Sequence, residues 1–190
     1  MPAVGEACPR CALPSAGSAV CGDCFIDPPP ERSVVCAFRY AFPVDRMIHA
    51  LKYRGELALA DWFAYVLANA VRAHGAAAPF PGARGETSAG NEAAPGSRAA
   101  AEVVVAMPLA KARQRERGFN QAGEIARRLA GHLHLDTSWA LARVRETPPQ
   151  ASLPGTARAR NMRGAFACPT RLDGARVALV DDVMTSGASQ

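Results

Sequence analysis

Apolar residues recur at helical spacing in three segments of the chain. The first covers residues 45–51, with Asp45 as its N-cap and Gly55 as the break that follows it. The second covers residues 57–71, and the third covers residues 121–133, where apolar side chains stand four positions apart. A stripe of this kind buries one face of a helix and leaves the other in water. The pattern therefore predicts three amphipathic helices.

Other apolar runs are too short for helices and are rich in β-branched residues. The run at residues 103–105 is continuously apolar, and the run at residues 176–180 is apolar after Arg176, as is typical of strands buried in a parallel sheet. Residues 34–40 are rich in β-branched and aromatic side chains and are also predicted to form a strand. Residues 139–144 and 164–168 are weaker candidates. Strands that alternate with helices predict an α/β fold around a mainly parallel sheet.

Changes in composition divide the chain into four parts. Residues 1–30 contain paired cysteines, and residues 31–74 contain a predicted strand and two helices that pack on the core. Residues 75–101 are mostly Ala, Gly, Pro and Ser, which bury too little apolar surface to offset their ordering entropy, so we expect a flexible linker. The main domain is predicted over residues 102–190, with a long exposed loop at residues 147–163.

Bulk composition narrows the class of protein without fixing its partner. The chain has 190 residues, 49% of them hydrophobic and 21% charged, which suits one ordinary domain and a small appendage. It has no long apolar stretch and no signal-like N-terminus, so we expect a cytoplasmic protein without a membrane span. The net charge of +5 favours either a polyphosphorylated small molecule or a nucleic acid. A general compositional bias towards Arg and Ala explains the charge equally well.

Four of the six cysteines form two pairs, and each pair has two residues between its members. Thiolates at this spacing bind zinc tetrahedrally, and the reducing cytoplasm disfavours disulfides. We therefore expect a structural Zn²⁺ site, the alternative being plain reduced or oxidised cysteine pairs; its ligands would be Cys8, Cys11, Cys21 and Cys24. Cys36 and Cys168 lie in apolar runs and are expected to be small core residues.

Two adjacent carboxylates, Asp181 and Asp182, follow the last apolar run directly. Ligands of open α/β sheets bind where strands end, and a carboxylate pair there suits the paired hydroxyls of a ribose or a Mg²⁺ ion that accompanies phosphate. Residues 185–189 are small or carry hydroxyls, so their backbone N–H groups could form a cradle for an anion. The alternative is that these residues only cap a helix.

The run at residues 177–189 resembles the phosphoribosyl pyrophosphate (PRPP) signature of type I phosphoribosyltransferases. The resemblance implies that Asp181 and Asp182 hold the ribose hydroxyls of PRPP and that Mg²⁺ accompanies it. It also implies a fold with a parallel sheet and flanking helices, here preceded by a small zinc ribbon. The 5-phosphate would be held by the loop of Thr185, Ser186, Gly187, Ala188 and Ser189.

Further motifs narrow the resemblance to the ComF-type family. These are the paired cysteines, Leu51-Lys52-Tyr53-Arg54-Gly55, residues 115–121, and Gln150 with Arg160-Asn161 before Gly164-Ala165-Phe166. The likeness runs from Cys8 to Ser189, interrupted only by the linker. It implies a phosphoribosyltransferase-like protein associated with natural competence and DNA uptake. Because that fold continues beyond the phosphate loop, the end of the sequence at Gln190 leads us to expect that its C-terminal part is missing.

The same resemblance assigns roles to two basic segments. Residues 108–120 would form the loop on the pyrophosphate side, and residues 147–163 would form a mobile hood. Their cations would stabilise departing pyrophosphate if the protein is a transferase; they are Lys111, Arg113, Arg115, Arg117, Arg158 and Arg160. The alternatives are a solvated basic face, or a non-catalytic protein that binds single-stranded DNA or competence proteins through these loops. Phe119 is either a loop anchor or a platform for a base.

Overall fold

The computed structural model describes residues 1–77, 101–145 and 164–184. Within those ranges it contains five α-helices and five β-strands, together with a 3-10 turn at Ala16–Ser18. The helices are α1 (Gly22–Ile26), α2 (Val44–Arg54), α3 (Ala58–Ala77), α4 (Lys111–Arg117) and α5 (Gln121–Leu133). The strands are β1 (Val103–Ala106), β2 (Asp136–Ser138), β3 (Ala142–Arg143), β4 (Phe166–Ala167) and β5 (Val177–Val180).

The predicted parallel sheet is present, in the order β2-β1-β5. Strand β1 is central, because Val104 pairs with Thr137 of β2 on one side and with Ala178 of β5 on the other. Val104 is completely buried, as expected for a continuously apolar central strand. Within the described residues, β3 and β4 form a second, antiparallel sheet. The molecule is therefore a mixed α/β structure.

Helix α5 covers the parallel sheet and also packs on α3. It contacts all three strands of that sheet, and its buried face includes Ile125, Ala126 and Leu129. Ala64 and Ala68 of α3 are fully buried in the same core. Small side chains on facing helices let their axes approach closely. This packing fixes α5, and with it the start of α5, relative to the sheet edge.

The predicted strand at residues 34–40 is wrong, because this segment forms no strand. Its backbone N–H groups instead bond to the N-terminal segment, from Val34 to the oxygen of Pro9 at 3.4 Å and from Arg39 to the oxygen of Pro2 at 3.1 Å. The ring of Phe38 stacks on Trp62 of α3, with centroids 5.4 Å apart. A strand propensity needs a partner strand to take effect, and here side-chain packing decides the conformation.

The remaining elements differ from expectation mainly in their boundaries. All three predicted helices form, although α2 begins at Val44 so that Asp45 lies in its first turn instead of capping it. The basic segment at 108–120, expected to be a loop, contains α4. Strand β2 was not predicted, and Cys168 is exposed, not in the core. Most of the predicted linker and the hood lie outside the described residues.

Candidate functional site

Asp181 and Asp182 lie at the carboxyl edge of the parallel sheet. Strand β5 ends at Val180, which pairs with Ala106, the last residue of β1. The N–H of Met107 donates to the oxygen of Val180 at 2.9 Å, so the segments that leave the two strands begin side by side. The acidic pair therefore borders the basic segment that follows β1.

The carboxylate of Asp182 is held by two side chains from distant parts of the chain. Lys52 of α2 forms an ion pair with Oδ2. Gln121, the first residue of α5, donates from Nε2 to Oδ1 at 3.3 Å. Only 6% of the Asp182 side chain is exposed, so these contacts replace most of its hydration. A buried carboxylate needs such partners, because an unpaired charge away from water is costly.

Asp181 has a different environment although it is adjacent. Its Oδ1 accepts a hydrogen bond of 2.8 Å from the N–H of Asp182. Burial, and then the negative charge of Asp182, raise the pKa of Asp181 from 3.8 to about 7, although that N–H group and the charge of Lys52 both act to lower it. Near neutral pH, Asp181 therefore exchanges between its protonated and ionised forms.

Helix α4 places four cations beside this edge. Lys111, Arg113 and Arg115 are exposed, and Arg113 forms an ion pair of 2.9 Å with Glu116 of the same helix. Lys111 and Arg115 have no ion-pair partner in the part of the chain that the structure describes, and with Gln114 they line an open depression of about 250 Å³. Exposed cations around a shallow depression suit an anionic ligand.

Arg117 connects the basic helix to the acidic pair. Its guanidinium lies 5.3 Å from the centroid of the Tyr53 ring, a cation–π contact. It also donates a hydrogen bond to the side-chain oxygen of Gln121, whose amide nitrogen contacts Asp182. Asn120 caps α5 through a 3.2 Å bond from the N–H of Ala122 and donates at 2.9 Å to the oxygen of Met107. The loop after β1 is thereby attached to the helix that carries Gln121.

The four paired cysteines converge at the N-terminus. The Sγ atoms of Cys8, Cys11, Cys21 and Cys24 all lie within 4.8 Å of one another, and those of Cys11 and Cys21 are 3.7 Å apart. Four thiolates around a tetrahedral zinc ion, with Zn–S bonds of about 2.3 Å, would lie about 3.8 Å apart. All four residues are free thiols. The cluster could hold a metal such as zinc.

Backbone donors favour the thiolate form at one of these ligands. Burial tends to raise the pKa of Cys8, but N–H groups of Cys21, Cys11 and Arg10 outweigh it and lower the pKa to about 6. The bond from Cys21 N to Cys8 Sγ is 3.4 Å long. Burial raises the pKa of Cys24 instead. A bound cation would favour all four thiolates, so the donor set fits zinc.

The structure describes some of the predicted site residues and does not describe the others. The structure brings together Asp181 and Asp182 with the segment of α4, and it brings together the four cysteines. The remaining predicted residues lie outside the described residues, so their positions stay predictions; they are Arg158, Arg160, Thr185, Ser186, Gly187, Ala188 and Ser189. Phe119 packs against the main core, which favours the loop anchor over a platform for a base.

Three site residues had no role in the sequence prediction. Lys52, Tyr53 and Gln121 stood only within the motifs that carry the family resemblance. Their contacts join residues that are far apart in sequence, 61 positions in the case of Gln121 and Asp182. The sequence offered one hint that Lys52 has a role of its own, because it is one of only two lysines among the 22 lysine and arginine residues of the chain.

Comparison with known proteins places the chain in a family. DNA utilization protein YhgH of Escherichia coli (strain K12) is 31% identical over 188 residues, which cover 96% of this chain and 73% of the relative. The chain belongs to the ComF-type family. Within this family, YhgH of Salmonella typhimurium is 30% identical with the same coverage, and Competence protein F of Haemophilus influenzae is 26% identical over 89% of this chain and 68% of the relative.

Other comparisons add no further relatives. No protein-family model matches this ComF-type chain, and no solved structure matches it. Among the helices of the described ranges, none combines the length and the apolar character needed to cross a bilayer.

Proposed function

We propose that this ComF-type protein binds PRPP with Mg²⁺ at the carboxyl edge of its parallel sheet, on a type I phosphoribosyltransferase-like fold. The observation that carries the proposal is the position of Asp181 and Asp182 at the end of β5, directly beside the loop that leads from β1 into the basic helix α4. Carboxylates that face hydroxyls and cations that face phosphates match the two chemical ends of PRPP.

The two carboxylates would serve different ends of this ligand. Asp182 has a lysine and an amide as partners, so it is fixed in place and offers its remaining acceptor capacity to ribose hydroxyls. Asp181 accepts a backbone hydrogen bond from Asp182 and would contribute oxygen to Mg²⁺, which binds one or two carboxylates together with substrate phosphates. When bound, Mg²⁺ would neutralise phosphate charge.

Group transfer would follow from binding if an acceptor is supplied. A nitrogen nucleophile would form a bond to C1 of the ribose as the bond from C1 to pyrophosphate oxygen breaks, and pyrophosphate would carry away the electron pair. Lys111, Arg115 and Arg117 would stabilise the charge that develops on the leaving group. This step needs no protein nucleophile.

Thermal melts with MgCl₂ and PRPP test the binding proposal. A ligand at about 100 times its Kd stabilises the folded state by about 2.7 kcal/mol, which raises Tm measurably. We expect this increase in the parent and in Asp136→Asn, where an exposed carboxylate on β2 is removed, and its loss in Asp181→Asn and Asp182→Asn. An equal increase in all four proteins would refute the proposed site.

A second candidate is single-stranded DNA binding during DNA uptake. It is favoured by the exposed cations Lys111 and Arg115 of α4, which have no ion-pair partner within residues 1–77, 101–145 and 164–184, and by the names of the relatives, DNA utilization protein and Competence protein F. Phosphate contacts of this kind make affinity fall steeply with salt. Affinity for single-stranded DNA that is lost in Arg115→Ala but kept in Asp182→Asn would favour this candidate over PRPP.

We further infer that the N-terminal cysteines hold a structural Zn²⁺ ion in a zinc ribbon. The support is the 3.7 Å spacing between Sγ atoms and the backbone donors at Cys8. Four protein ligands complete a tetrahedral zinc site and leave no position for substrate. The metal would therefore stabilise residues 1–30 without taking part in transfer.

A further inference from the structure

The end of helix α2 presents two neighbouring residues to the candidate site. Helix α2 runs to Arg54 and ends at Gly55, whose left-handed conformation (φ 68°) suits glycine. Lys52 and Tyr53, in the last turn of this helix, face different partners. Lys52 contacts the acidic pair, and the Tyr53 ring contacts the basic helix α4.

The Lys52 contact is a partly buried ion pair. Only 21% of the Lys52 side chain and 6% of the Asp182 side chain are exposed, so water screens their attraction less than at the surface. Arg46 of the same helix has no ion pair in the described ranges, and the 3.9 Å ion pair of Arg54 with Glu56 is exposed on both sides. The contact is therefore specific to one position of the helix.

The Tyr53 contact is different in kind. Tyr53 is 62% exposed and adds little to the core, yet the guanidinium of Arg117 lies over its ring at 5.3 Å. Arg117 then reaches Gln121, and Gln121 reaches Asp182. The five side chains form a continuous set of contacts that begins and ends at α2.

We propose that Lys52 and Tyr53 of α2 are positioning residues for this site, with Lys52 holding Asp182 and Tyr53 holding Arg117. The consequence for the ligand rests on the proposed function, because it assumes that Asp182 and Arg117 meet PRPP. The contacts of Lys52 and Tyr53 in the free protein do not depend on that assumption. These contacts and their effect on ligand binding can therefore be tested separately.

Removing the charge of Lys52 should leave a buried carboxylate without its cation. Asp182 would keep the amide of Gln121 as a partner, but only 6% of its side chain is exposed, so water replaces little of the lost contact. An unpaired buried charge is costly, so the folded state should lose stability when Lys52 alone is changed, and much less when Asp182 is neutralised as well.

The first experiment measures urea unfolding of the ligand-free chain as a double-mutant cycle. Lys52→Met keeps the length of the side chain and removes its charge, and it is combined with Asp182→Asn. Arg46→Met is the matched control, because it removes one positive charge from the exposed face of the same helix. We expect the changes in the unfolding midpoint to be non-additive for Lys52 with Asp182 and additive for Arg46 with Asp182. Additive changes for Lys52 with Asp182 overturn the role of Lys52.

The second experiment measures the affinity for MgPRPP by calorimetry at about pH 8. Losing the partner of a buried charge should weaken binding by about tenfold or more in Lys52→Met, with partial recovery in Lys52→Arg. Tyr53→Leu should weaken binding several-fold while Tyr53→Phe, which keeps the ring, binds like the parent. Equal affinities for Tyr53→Leu and Tyr53→Phe overturn the role of Tyr53.

The two experiments separate failure of the inference from failure of the proposed function. If the parent does not bind MgPRPP, the proposed function fails, and the double-mutant cycle of Lys52 and Asp182 still decides the role of Lys52. If the parent binds and Lys52→Met binds equally well, the proposed site stands and the inference fails. Tyr53 is exposed, so its variants should fold even if Lys52→Met does not.

Discussion

Replacing Asp181 with Asn should stabilise the folded protein above neutral pH, although it removes a carboxylate of the proposed PRPP site. The pKa of Asp181 is about 7 in the folded chain, against 3.8 for an ordinary Asp. Between these values the folded state keeps a proton that the unfolded state has released. Stability therefore falls as pH rises from about 4 to about 7 and levels off above the folded pKa. Asn cannot ionise, so the variant avoids this loss.

The size of the effect follows from the same two values. Each pH unit between them corresponds to about 1.4 kcal/mol, so the gain from Asp181→Asn has a ceiling of about 4 kcal/mol. For a chain of this length, 1 kcal/mol moves Tm by about 2 to 4 °C. We expect Tm to rise by roughly 5 to 10 °C at about pH 8 and hardly at all at about pH 4.5.

Calorimetric melts of the zinc-loaded chain across this pH range provide the assay. Asp136→Asn is the control, because it removes an exposed carboxylate from the edge strand β2. Its Tm should follow the parent at every pH. The reasoning is refuted if Asp181→Asn and the parent differ by the same amount at both ends of the range, or if the variant is less stable at alkaline pH.

Three further predictions concern the metal and the core. Elemental analysis should find one zinc ion per chain, lost in Cys24→Ser and kept in Cys36→Ser; a folded, metal-free parent would contradict the site. Leu129→Ala should cost about 3 kcal/mol in urea unfolding, because the side chain is fully buried between α5 and the sheet, whereas the exposed Leu57→Ala should cost far less. Asn120→Ala should cost about 1 to 2 kcal/mol by the same measurement, since it removes a helix cap and the bond to Met107; no change would mean that water replaces both contacts.

Local signals account for the elements that the sequence predicted well. Helix α5 spans residues 121–133 as expected, because Asn120 caps it and its apolar stripe is regular. The position of Asp181 at the carboxyl edge of the sheet was predicted from the apolar strand that precedes it. Helix α4 was missed although its residues are good helix formers and Gly118 ends it, because its charge suggested a loop. The partners of Asp182 could not be predicted, since contacts across the fold leave no trace in sequence spacing.

The acidic pair is buried at the end of a strand and also needs a compensating charge. A short sequence motif cannot meet both requirements alone. Two adjacent carboxylates repel each other, and burial at the end of a strand strengthens the repulsion. A cation from elsewhere must therefore compensate one of them, and Lys52 does so for Asp182. Asp181 then bears the remaining cost as a raised pKa, which a ligand that supplies positive charge or hydroxyl donors can relieve. The acidic pair therefore destabilises the empty site relative to one that holds such a ligand.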